Sequence, residues 1–155
     1  MEKIWRQTGE LIVISGGIFL IILWLAYILP IFPNNKYLNN MLFSPILFGI
    51  LGTVAGFLMM KNKPGAYIFA YISGSMTLIM TLVLYFRVQF YGELLELVPL
   101  GYYLIWTGAI VMIFGSVISV IKSDVGRKVL LFLSLVFGSI VTAVVLIILV
   151  AFSIF

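Results

Sequence analysis

Cysteine and histidine are both missing from the 155 residues, and charge is scarce: nine basic and five acidic side chains, 9% of the chain. Without a thiol or an imidazole there is no disulfide, no zinc or haem site built on those ligands, and no catalytic triad with a His base. So small a charged fraction excludes a water-soluble globule, since soluble domains carry about a quarter of their residues as Asp, Glu, Lys or Arg. The chain also lacks a Gly-rich phosphate loop followed by Lys-Ser/Thr, an Asn-x-Ser/Thr acceptor, a lipidation signal, any nucleic-acid-binding module and any low-complexity tract. What fills it is apolar: 64% of residues are hydrophobic, and the mean hydropathy is +1.28.

The few charges are clustered. No Asp, Glu, Lys or Arg occurs in 11–35, 37–60, 64–86, 97–121 or 129–155. A helix needs about 20 apolar residues to cross a hydrocarbon core of about 30 Å, so each gap fits one crossing and none fits two. In lipid the backbone must satisfy its own hydrogen bonds, which makes the spans helices; the alternating pattern of a membrane barrel is absent. The reading is an all-α membrane protein, a single transmembrane domain of five helices over about 11–32, 41–60, 65–86, 100–121 and 129–152. Proline agrees: Pro30, Pro33, Pro45, Pro64 and Pro99 all fall near span ends, where a missing N–H and a fixed φ do least harm. The first span, with Lys3 and Arg6 ahead of a long apolar run and no small-x-small site after it, reads as a retained signal anchor.

Five crossings put the two termini on opposite sides. One side holds Lys3, Arg6, Lys61, Lys63, Lys122, Arg127 and Lys128, and the other only Lys36 and Arg87. Short loops rich in Lys and Arg stay in the cytoplasm, so the N-terminus is expected inside and the C-terminus outside, in the cell membrane. Trp and Tyr favour both interfaces. Trp24, Tyr27, Tyr37, Tyr85, Tyr91, Tyr102, Tyr103 and Trp106 gather at the expected outer ends, and Trp5, Tyr67 and Tyr71 near the inner ones.

Helices in lipid associate through close packing at small residues. Such stripes recur: Gly49, Gly52 and Gly56 in the second span; Ala66, Ala70 and Gly74 in the third; Gly108, Gly115 and Ser119 in the fourth; Ser134, Gly138 and Thr142 in the fifth; Ser15, Gly16 and Gly17 in the first. Most are expected to pack within the chain. Gly52 and Gly56, a Gly-x-x-x-Gly pair, are the choice for any seam with a partner or a second copy. Spans two–three and four–five each form a hairpin around a basic, Gly-containing turn, a weak internal echo.

No ionisable group lies inside the charge-free stretches, so a membrane-embedded proton carrier, an intramembrane protease and a redox cofactor all lack their usual residues. No cofactor or metal is expected. Hydroxyls remain, and Ser73, Thr77 and Thr81 form a stripe that could line a polar path. Glu93 and Glu96 form an outer acidic rim in reach of Arg87, and Lys61, Lys63, Lys122, Arg127 and Lys128 an inner basic anchor for lipid headgroups. The expected function is that of a non-catalytic accessory or scaffold subunit of a membrane complex, with lipids and other membrane subunits or itself as partners and no nucleic acid. The alternatives are a homo-oligomeric channel or passive facilitator lined by the hydroxyl stripe and, third, a binder of lipids or other hydrophobes.

Overall fold

A computed structural model of the protein describes residues 2–28, 44–63, 65–91 and 99–154. Within these lie five α-helices: α1 (Glu2–Leu23), α2 (Ser44–Met60), α3 (Ala66–Tyr91), α4 (Pro99–Ser119) and α5 (Asp124–Ile154), with no strand among the described residues. Each charge-free stretch holds one helix. Helices α1, α3, α4 and α5 are long and apolar enough to cross a membrane, whereas α2, at 17 residues, is shorter. This all-helical architecture is compatible with a multi-pass membrane protein. Glu93 and Glu96, the acidic rim, lie outside the described residues, as do Pro30, Pro33 and Lys36.

Helix α1 packs on α2 and α4, and α3 packs on the same two, so the first four helices close a ring that alternates in direction. Met112 lies fully buried at its centre, beside Gly16 of α1 and Gly52 of α2. Toward one end the core continues through Leu20, Trp24, Leu84, Tyr102 and Ile105, and toward the other through Val13, Ala55, Met59, Ala66 and Ala70. Helix α5 stands outside the ring and meets mainly α3, through Leu130, Leu133 and Phe137 beside Tyr71.

Local chemistry sets the turns. Helix α2 stops in a double-bonded C-cap, where Lys63 N–H reaches Leu58 O at 3.0 Å and Asn62 N–H reaches Met59 O at 2.9 Å. That motif needs a left-handed residue between the two donors; Asn62 supplies it with φ 55°, a conformation Asn tolerates better than most side chains. Ser123 caps α5, its Oγ accepting from Gly126 N–H at 3.2 Å, and Asp124 adds a negative charge to the first turn. The last turn of α1 widens to π winding over Trp24–Ile28, just ahead of Pro30, which has no N–H to continue the ladder.

Outside the ring the surface is apolar in every direction: Leu47, Phe69, Phe114, Leu131 and Ile147 are all more than half exposed. Patches on that scale mark contact with lipid or another protein.

Candidate functional site

The small residues assort by helix pair. A Cβ built at Gly9 would fall 2.5 Å from Gly115 O and from Ser119 N, and one built at Gly115 would fall 2.9 Å from Gly9 O. Farther along, Gly16 faces Gly108 O at 3.1 Å, so two glycine pairs, each seven residues apart, interlock antiparallel across α1 and α4. Gly108 also leaves room for Leu20. Gly17 and Gly49 do the same for α1 and α2: a Gly17 Cβ would sit 2.7 Å from Gly49 O. Gly52 abuts Met112 and Gly56 abuts Ile14, so both glycines serve the interior of the ring rather than its outside. Ala66 and Ala70 are buried against Val13, Ala55 and Met59, and Gly74 lies against Ala109 and Ile113 of α4.

One stripe, Ser134, Gly138 and Thr142, is only partly engaged among the described residues. Among the described residues, no other element comes within 4 Å of where a Gly138 Cβ would be. The side chain of Thr142 is exposed and donates to its own helix at Gly138 O, 2.8 Å away. Ser134 alone is engaged, donating to Leu130 O at 2.7 Å and meeting Tyr71 Oη at 2.6 Å. Past Leu130, no residue of α5 as far as Ala151 is buried among the described residues.

The hydroxyl stripe of α3 runs through the ring interior. Thr77 and Thr81 are 0% exposed and Ser73 is 4% exposed. Each donates four residues back, to Phe69 O, Ser73 O and Thr77 O, at 2.6–2.8 Å, the usual way a membrane helix satisfies a hydroxyl. Thr81 Oγ1 also accepts from Trp106 Nε1 at 2.9 Å. Trp106 joins Tyr85, Tyr102 and Tyr103 in a cluster of rings 5.3–6.4 Å apart that ties α3 to α4. Of these interface aromatics Tyr102 turns inward and is buried, whereas Tyr103 is exposed.

The alternating ring brings the start of α1, the α2–α3 turn and the α4–α5 turn to one end, and with them the basic residues. Arg6 and Lys63 line one cleft there, Lys3, Arg6 and Lys122 its neighbour; Lys61 and Lys128 are exposed, and Arg127 is paired with Asp124. In the same place an ionisable group just ahead of the first charge-free stretch is buried within the protein. Glu10 is only 4% exposed. Helix α1 begins ahead of the charge-free stretch, and the glycine contacts at Gly9 and Gly115 draw its third turn tightly onto α4, so a carboxylate one residue short of that stretch is packed inside. Arg6 Nε stands 3.4 Å from Glu10 Oε1, an ion pair without a hydrogen bond. No three acidic side chains come together to hold a metal ion among the described residues.

No protein-family model matches the chain, and neither does any curated protein or solved structure.

Proposed function

We propose that the chain is a non-catalytic integral membrane protein that serves as an accessory or scaffold subunit of a larger complex in the cell membrane. On this reading all five helices cross the bilayer, the basic end lies in the cytoplasm, and α5 is the docking element. The observation that carries the reading is the contrast between two glycine stripes. Gly108 and Gly115 are filled by α1, while Gly138 faces nothing among the described residues. Helix association in lipid depends on such close-packing surfaces, and the first four helices already satisfy one another without α5. A helix of 31 residues spans about 46 Å at 1.5 Å per residue, long enough to cross while tilted against a neighbour. Ser73 and Thr77 spend their hydroxyl hydrogens on their own helix, and Thr81, which does the same, also accepts from Trp106 of α4, which suits a packing role. Purification from native membranes in mild detergent, followed by intact-mass measurement, tests the reading: a stoichiometric complex with a different membrane protein is expected, and a chain that runs alone or only with copies of itself contradicts it.

A further inference from the structure

At the basic end the turn after α2, the start of α1 and the turn after α4 enclose a cleft of about 250 Å³. A second cleft shares its Arg6, Ser119 and Ser123 walls. Glu10 lines the first, 4% exposed, and its Oε1 receives no hydrogen bond among the described residues. A buried acceptor left unsatisfied is expensive, the more so when charged, so this oxygen calls for an N–H or O–H from whatever enters the cleft. Groups of the opposite kind stand beside it. Lys63 lines the same cleft and Lys3 and Lys122 the adjoining one. Ser123 Oγ accepts from Gly126 N–H, which leaves its own hydrogen for a ligand oxygen. The clefts lie at the helix ends, the depth at which lipid headgroups sit.

We propose that this cleft binds one amphiphile through a zwitterionic headgroup, its primary ammonium donating to Glu10 and its phosphate held by Lys63, Arg6 and Ser123. A diffuse basic anchor for anionic lipid accounts for the lysines alone; it gives no role to the Glu10 oxygen that Arg6 faces at 3.4 Å without donating to it, and whose charge repels a bare phosphate. A headgroup carrying both signs satisfies both sets. The inference needs only that the helices lie in a membrane, and it is independent of the subunit role.

Native mass spectrometry of the full chain in mild detergent tests it, with phosphatidylethanolamine, phosphatidylcholine and phosphatidylglycerol of identical acyl chains and with soluble glycerophosphoethanolamine. One phosphatidylethanolamine per chain is expected, retained at least tenfold more strongly than phosphatidylcholine, whose quaternary ammonium has no N–H to donate. Lys63→Gln, at an exposed turn position, lowers that retention several-fold with the fold unchanged, and Glu10→Gln narrows the discrimination between the two lipids. Binding of the soluble headgroup as tight as that of the lipid assigns the site to a free phosphate ester of the same chemistry. Equal retention of phosphatidylethanolamine and phosphatidylcholine by the unmodified chain, or tighter retention of phosphatidylglycerol than of either, overturns the proposal whether or not Glu10→Gln folds.

Discussion

The Tyr71 hydroxyl meets Ser134 Oγ at 2.6 Å and fastens α5 to the four-helix ring. Ser134 spends its own hydrogen on Leu130 O, so Tyr71 is the donor. Beside the bond the Tyr71 ring packs on Phe137 at 6.3 Å, one residue before Gly138. Side-chain hydrogen bonds between membrane helices contribute about 0.6 kcal/mol on average and up to about 1.7. A double-mutant cycle of Tyr71→Phe and Ser134→Ala, read by unfolding in detergent, is expected to give a coupling in that range. A coupling indistinguishable from zero removes this bond as the tether of α5.

Two glycines should respond in opposite ways. Gly9→Leu forces side-chain atoms into the Gly115 carbonyl and the Ser119 backbone. Overpacking costs about 1–3 kcal/mol, and here backbone on both sides blocks relief, so a loss of about 3 kcal/mol or more is expected from the unfolding midpoint. Gly138→Leu meets open space and leaves the midpoint unchanged or slightly raised. Equal destabilisation by the two contradicts the placement of α5 outside the ring.

Much of the architecture was legible because charge and hydrocarbon exclude each other: five stretches without ionisable residues became five helices. The partners of the small residues were not legible. Gly108 and Gly115 read along the chain much as Gly138 and Thr142 do, yet the first pair is filled and the second open, and only the ring of α1 to α4 distinguishes them. Gly9 left a signal that passed unread, since its seven-residue spacing from Gly16 repeats that of Gly108 and Gly115. Glu10 escaped for another reason: a boundary drawn at the last charge places that charge outside, while the helix and its packing continue past it. The aromatics near the expected outer end read as an interface belt. Tyr85, Tyr102 and Trp106 also bind α3 to α4, because rings one or two turns apart on facing helices meet each other as readily as they meet headgroups.

Side and number of crossings are testable on a chain with no cysteine of its own. Ser123→Cys, at the exposed α4–α5 turn, should label with an impermeant maleimide only from the cytoplasmic side. Ser153→Cys, exposed near the far end of α5, should label only from outside. Labelling of both from one side contradicts the crossing of α5.

The subunit role is tested most directly by a photo-crosslinking residue placed at Gly138 in native membranes, with Phe114, an exposed residue on the outside of α4, as control. The account predicts one discrete adduct with a different membrane protein from position 138 and only lipid adducts from position 114. Lipid adducts alone at both positions, or an adduct at 138 only to a second copy of the chain, contradict it.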